Sequence, residues 1–420
     1  MKMANMDDYF DVVIVGTGAA GLYCALNLPA RYRILLLTKQ KADESDSFLA
    51  QGGICMQHGE ADYRPFFDDT MRAGHYENNP ATVDLMIRSS NSIIRDLVRR
   101  GVRFARDDNG ALRFTREGAH SRPRILFHED ITGHEITQTL LNEVLRCENI
   151  ELREHTTLLD FFADASACGG VIAAGPDGEP RAIGAGAVVL ACGGIGGLYK
   201  NSTNFPHITG DAIAMALRHG VACEHLDYIQ IHPTTLYSHR KGRRFLISES
   251  VRGEGALLLD KNGNRFTNEL QPRDVVSAAI RAQMEKDGTD HVWEDMRPIG
   301  EAAIREHFPN ILERCEEEGY DPIHEPIPVV PAQHYFMGGI TADLSSRTAL
   351  PRLYACGETC CNGVHGRNRL ASNSLLESLV FAQRAADDIL YGEPPVFTGD
   401  KPDLAPYREQ EPLFAAYLSY

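Results

Sequence analysis

The ten cysteines include no CxxC pair and follow no regular spacing; only Cys360 and Cys361 are adjacent. A disulfide framework belongs to short secreted chains, and metal or iron–sulfur ligation needs close-set pairs. Neither is expected, so the cysteines read as reduced thiols, the metal content as none and the compartment as cytoplasmic. Basic residues are in deficit: Lys+Arg total 42 against 58 Asp+Glu, a formal charge of -16. That balance argues against a nucleic-acid or anionic-membrane surface, and it makes any local cationic cluster conspicuous. No apolar run approaches the ~18 residues of a membrane span. The opening residues, MKMANMDDYFD, carry acids rather than the apolar core of a signal peptide. Internal repeats and low-complexity tracts are also missing.

What is present fits a globular chain. Its 420 residues are 43% hydrophobic and 24% charged, enough for one large domain or two to three smaller ones. Asp11 to Val15 (DVVIV) reads as a buried parallel strand. The turn Gly16-Thr17-Gly18-Ala19-Ala20-Gly21 follows, then a helix (LYCALNL) and a second strand, Ile34 to Leu37. This is the strand–turn–helix–strand context in which a GxGxxG pattern carries meaning.

Asn79-Pro80 caps a predicted helix whose stripe of Val83, Met86, Ile87, Ile94, Leu97 and Val98 closes at Gly101. Gly118 to Phe127 reads as loop into strand, His134 to Leu145 as a helix, and residues 150–172 and 181–189 as strands. VVLACGGIGG is a strand entering a glycine-rich turn, and residues 210–220 suggest a helix. From about residue 225 the character changes: a hairpin-like LLLDKNGNRF, two helical segments and a Pro-rich exit (EPIPVVP) mark an inserted domain. The expected organisation is α/β. A discontinuous Rossmann-like cofactor domain (1–224 and 331–395) carries an inserted α+β domain (225–330), and residues 396–420 form a loosely packed tail.

The cofactor is indicated by another absence. Nicotinamide-binding turns are usually followed, roughly 20 residues on, by an acid for the ribose. Here that place is Thr38-Lys39. Ser47 to Gly53 (SFLAQGG) offers small residues whose amides can face a ring system. Leu353 to Glu358 (LYACGE) reads as a late strand ending in a glutamate able to bond a ribose hydroxyl. Both favour a flavin.

The runs VGTGAAGL, FLAQGGI, ACGGIGG, TGDAIAMA, QIHPT, RGEGA, PRDVVSAAI, LYACGE and GVHGRNRLASNSLLES, in this order, resemble the FAD-dependent fumarate reductase/succinate dehydrogenase flavoproteins. The resemblance implies FAD contacts at Gly16, Thr17, Gly18, Ala19, Ala20, Lys39, Ser47, Gln51, Gly52, Gly53, Asp211, Glu358, Ser374 and Leu375. Relatives that attach FAD covalently use a histidine just before QGG. SDSFLAQGG has none, so the flavin is expected to be non-covalent.

A flavin that exchanges hydride with a dicarboxylate needs cations for two carboxylates and a proton carrier. Arginine suits carboxylates because its planar fork makes two parallel hydrogen bonds. The resemblance assigns the carboxylates to His232, His334 and Arg369 and proton transfer to Arg273. It leaves Arg367 a rim role. Taken singly, each of these could be a satisfied core imidazole or a solvated surface guanidinium.

Residues 114–122, FTREGAHSR, resemble the TREGGHS run of L-aspartate oxidases, with Ala119 in place of a glycine. HSRPRIL and VPAQHYFMGG extend that match. It implies oxidation of L-aspartate to iminoaspartate, the first step of NAD biosynthesis through quinolinate. Reoxidation would be by O2 or fumarate, with functional coupling to quinolinate synthase. Glu117 would receive the substrate ammonium, since a buried ammonium needs an anion or acceptor. The competing assignment is a soluble fumarate reductase or succinate dehydrogenase-like subunit, with Glu117 paired to Arg116 or Arg122 in solvent. Many L-aspartate oxidases continue into a C-terminal helical bundle. This sequence ends at Tyr420, so that bundle is expected to be absent.

Overall fold

The computed structural model describes residues 8–239 and 242–408. The readings of the first seven residues and of the tail beyond residue 408 lie outside the described residues. A seven-stranded sheet forms the centre. Five of its strands run parallel, in the spatial order Ile150–Arg153, Ile34–Leu37, Tyr9–Val15, Pro180–Leu190, Leu353–Ala355. Cys168–Ala174 and Thr157–Ala163 add an antiparallel pair beside the first half of Pro180–Leu190.

The first strand shows why an apolar run sits here. From Val12 to Val15 the side chains alternate: Val12 and Ile14 enter one core, and Val13 and Val15 the other. Period-two alternation with both faces covered demands hydrophobic residues throughout. Helices Ala19–Asn27, Pro80–Arg100 and Asn373–Tyr391 pack together on one face. The Asn79 side chain accepts the Ala81 N–H at 3.0 Å, Pro80 opens the helix, and Gly101 closes it at φ 104°. All of the expected stripe is buried except Val98, which is half-buried.

Residues 229–336 build a second, antiparallel sheet in the order Ile229–Leu236, Ile327–Phe336, Val292–Asp295, Leu257–Leu259. It has a core of its own, including Leu236, Ile247, Leu258, Val276, Ile280 and Val329. Four helices accompany it, Glu249–Gly253, Arg273–Asp287, Glu301–His307 and Pro309–Glu317, where two were expected. Glu249–Gly253 and Glu301–His307 are too short to show helical periodicity. In LLLDKNGNRF the turn forms, with Asp260 N–H on Asn264 O at 2.9 Å. Leu257–Leu259, however, pairs with Val292–Asp295 rather than forming a long hairpin.

The stretch after Pro394 is mostly exposed where it is described, and it is anchored at a few points. Phe397 is buried against Phe162, and Asp164 accepts the Thr398 and Gly399 amides at 2.7 and 2.9 Å. Tyr407 Oη donates to Asp160 at 2.7 Å. A single aromatic anchor and two acceptors give little sequence signal. No helix among the described residues is long and apolar enough to cross a membrane.

Candidate active site

The carboxyl ends of the parallel strands open into one cleft, the place where open α/β sheets bind ligands. Gly16 has φ 113°, and a Cβ there would lie 2.0 Å from Ala191 O. A Cβ on Gly21 would lie 1.9 Å from Gly16 O. These two glycines let the turn press against the neighbouring strand exit and the helix, leaving the helix amides to face a phosphate. Every residue assigned above to the cofactor lines this cleft.

The walls fit a large polar cofactor. Ser45 Oγ, Asp46 Oδ2 and Gln51 Oε1 are buried there without partners, as groups awaiting a ligand would be. Side chains on Gly52 or Gly194 would strike Glu117 or Glu358, each at 2.5 Å. Lys39 Nζ donates to Asp211 Oδ2 at 2.7 Å and to Thr209 Oγ1 at 3.0 Å, so the two expected contacts, Lys39 and Asp211, are a pair. Glu358 accepts the Phe336 N–H at 2.9 Å, and burial pushes its carboxyl up to about 8.

At the far end the cleft gathers Glu117, Arg273, His334 and Arg369. His232 lies just behind, its ring 5.0 Å from that of His334. The sequence separation is large, and the topology closes it. Glu117 comes from the loop before Ile125–Leu126, Arg273 opens a helix of the second sheet, and the histidines sit on two adjacent strands of that sheet, His232 on the edge strand Ile229–Leu236 and His334 on Ile327–Phe336. Arg369 precedes the last long helix.

The Glu117 loop is fixed by Arg124, which is fully buried and bonded to Asp62 at 3.0 Å and Asp69 at 2.8 Å. Arg124 also donates to His120 Nδ1 at 2.7 Å, and His120 Nε2 reaches Ala371 O at 3.0 Å. The loop is thereby tied to the turn after Arg369. Such a buried, fully partnered cluster is destabilised by several kcal/mol, roughly 3–5, when one member is removed.

Each side chain has a defined surrounding. Glu117 is buried, and neither Arg116 nor Arg122 holds it. Its oxygens accept from Ser250 Oγ at 2.8 Å and Ser372 Oγ at 2.6 Å. Arg273 donates from Nε to Glu249 Oε2 and from Nη1 to Gln230 Oε1 at 2.9 Å. Arg369 lies over the Tyr335 ring at 4.3 Å and donates to Ser374 Oγ at 2.8 Å, while its Nε is buried with no partner. His334 Nδ1 is 2.7 Å from Thr203 Oγ1. His232 Nδ1 faces the Thr234 amide and carbonyl at 3.2 and 3.0 Å, leaving Nε2 buried and unpartnered. Arg367 is exposed beside Glu77 and Tyr228, away from the cleft. His365 is buried edge-on to Tyr335 rather than facing the pocket, and burial with Arg369 nearby lowers it to about 3.

Burial, with Arg273 beside both, holds His232 and His334 well below the usual imidazole range, so both are neutral donors at pH 7. Burial and Arg273 bring Arg369 down to about 10, still a cation. Burial, then Glu249, raises Glu117. Burial would also raise Glu249, but Arg273 and Arg252 outweigh it and hold that carboxyl low. Among the described residues, one group with metal-ligand chemistry, Glu224, His225 and Cys361, comes within 4.8 Å; it lies outside this cleft.

Four residues were not singled out from sequence: Glu249, Gln230, Ser250 and Thr203. Glu249 stands just ahead of the RGEGA run, but its bond to Arg273 spans 24 residues and no local pattern reports it.

A dinucleotide cradle running into a pocket of two buried arginines and two neutral histidines defines an FAD-dependent oxidoreductase acting on a small anion. A family model described as an FAD binding domain matches residues 11–375. The L-aspartate oxidase of Clostridium perfringens is 48% identical over 380 residues, 90% of this chain and 86% of that protein. That of Clostridium acetobutylicum is 47% identical, covering 90% and 87%. Among solved structures, a mutant of the E. coli quinol fumarate reductase subunit FrdA matches with TM-score 0.85 and 33% identity, over 91% of this chain and 70% of that one. The chain belongs to the L-aspartate oxidase family.

Proposed function

We propose that this chain oxidises L-aspartate to iminoaspartate, with the two substrate carboxylates held by His232, His334 and Arg369 and the ammonium held by Glu117. FAD held in the cleft would supply the two-electron acceptor for the Cα hydride, with O2 or fumarate as the final oxidant. Arg369 keeps an unpartnered Nε for a carboxylate. His232, next to His334, has a free Nε2; protonated there, its Nδ1 accepts the Thr234 amide. Neutral imidazoles donate one hydrogen bond each without competing with the arginines for charge.

Arg273 supplies a proton when fumarate occupies the pocket. Glu249, bonded to its Nε, is placed to return that proton. An arginine needs such a neighbour because its free pKa is above 12. The site residues, the non-covalent attachment of FAD and the cytoplasmic setting are parts of the same reading. So are coupling to quinolinate synthase and a cap formed by residues 225–330.

The observation that carries the reading is Glu117: a buried carboxylate beside Arg273, His334 and Arg369 that is bonded to two serines, whereas the neighbouring Glu249 is already paired with Arg273. Fumarate and succinate offer it no cation, and aspartate does. Glu117→Gln should raise the aspartate KM strongly and spare fumarate reduction. Equal loss of both activities would remove the assignment.

A further inference from the structure

We propose that Ser250 and Ser372 form a clamp that sets the selectivity for an amino substrate by presenting Glu117 as an oriented, ionised acceptor. The clamp rests on the reading that Glu117 meets the ammonium, and it names what makes that carboxylate competent.

The two serines come from different parts of the fold. Ser250 lies on the short helix Glu249–Gly253 of the second sheet. Ser372 is the residue before the helix Asn373–Tyr391, held at φ 60°. Each donates to a different oxygen of Glu117, at 2.8 and 2.6 Å. The direction of each bond is set from behind. Ser372 Oγ accepts the Gly53 N–H at 3.2 Å, so its own proton is free for Glu117. Ser250 Oγ accepts from Ser248 Oγ at 3.3 Å, with the same consequence. A carboxylate receiving two oriented O–H donors is favoured in its acceptor-only, ionised form.

That support is needed. The charged groups facing Glu117 are Glu249, which opposes its ionisation, and Arg273, which favours it; burial opposes it further. A carboxylate has about four acceptor positions, and two serine bonds leave two for an ammonium. A dicarboxylate without an amine never uses them, so the clamp bears on aspartate and not on fumarate.

Ser250 is the member to test, because Ser372 also carries a left-handed backbone and the Gly53 contact. Flavin-loaded parent, Ser250→Ala, Ser250→Thr and Glu117→Gln are compared for kcat and KM in L-aspartate oxidation and in fumarate reduction. Removing one hydrogen bond to a charged group should raise the aspartate KM about tenfold or more. The aspartate kcat and both fumarate parameters should stay within about twofold, and Ser250→Thr, which keeps the hydroxyl, should restore the aspartate KM. An unchanged aspartate KM in Ser250→Ala, with a raised one in Glu117→Gln, overturns the clamp and leaves the Glu117 assignment standing. Parallel loss of fumarate reduction in Ser250→Ala shows a structural role and also overturns it. An unchanged aspartate KM in Glu117→Gln overturns the Glu117 assignment itself, and the clamp with it.

Discussion

Arg273 Nε donates to Glu249 Oε2 with both side chains shielded from solvent, 8% and 2% exposed. Gln230 fixes the other side of the same guanidinium. A proton-transfer group contributes about 10²–10⁴ in rate. Arg273→Gln should therefore lower kcat for fumarate reduction by at least about 100-fold. Glu249→Gln should lower it by a comparable factor, through its bond to Arg273. Steady-state reduction assays check both. A Glu249→Gln enzyme with full fumarate reductase activity would remove Glu249 from the proton path.

Arg369 lies over the Tyr335 ring and is bonded to Ser374, with Nε left without a partner. Lysine cannot reproduce a stacked fork. Losing one partner of a buried charge pair costs about 2–5 kcal/mol. Arg369→Lys should accordingly raise KM for aspartate and fumarate alike, by about 100-fold. That pattern separates it from Glu117→Gln, which affects aspartate alone. Arg367→Lys, away from the cleft, should change neither.

Glu294 is fully buried on the Val292–Asp295 strand, and neither carboxylate oxygen has a hydrogen-bond partner. Burial, only partly offset by Arg252, pushes its pKa up to about 8. The folded state therefore binds this proton more tightly than the unfolded chain does. The stability contribution is full below the unfolded carboxylate pKa and is lost as pH climbs towards 8. Glu294→Gln should raise the melting temperature more at pH 8 than at pH 5. Thermal unfolding of parent and variant at pH 5, 6, 7 and 8 measures the difference. A difference that does not grow with pH contradicts this account.

Ala119 stands at φ 64°, a left-handed conformation in which the Cβ is penalised. The related run has glycine at this position. Ala119→Gly should stabilise the protein by about 1 kcal/mol, less the entropy glycine adds to the unfolded chain. Aspartate oxidation should be unchanged, because Ala119 does not itself line the cleft. Equilibrium denaturation checks the sign.

The parts of the fold visible in sequence are those set by neighbours along the chain. The Gly16–Gly21 turn, the Asn79-Pro80 cap with Gly101 and the strand entering Gly193 are local steric and hydrogen-bonding rules. The positions of Glu117, Arg273, His334 and Arg369 were readable through resemblance, and the cleft does bring them together. What holds them was not readable. Ser250 and Ser372 lie 133 and 255 residues from Glu117, and each is an ordinary serine in its own stretch. Arg124, Asp62 and Asp69 look like surface charges until the loop folds over them. The four helices of the second sheet were undercounted because two are shorter than the window in which periodicity appears.

The central claim is that the pocket selects an amino dicarboxylate. Anaerobic mixing of the flavin-loaded protein with L-aspartate, and separately with succinate, tests it with flavin absorbance as the readout. The account predicts bleaching by L-aspartate at rates consistent with turnover and none by succinate. Bleaching by succinate with none by L-aspartate would contradict it.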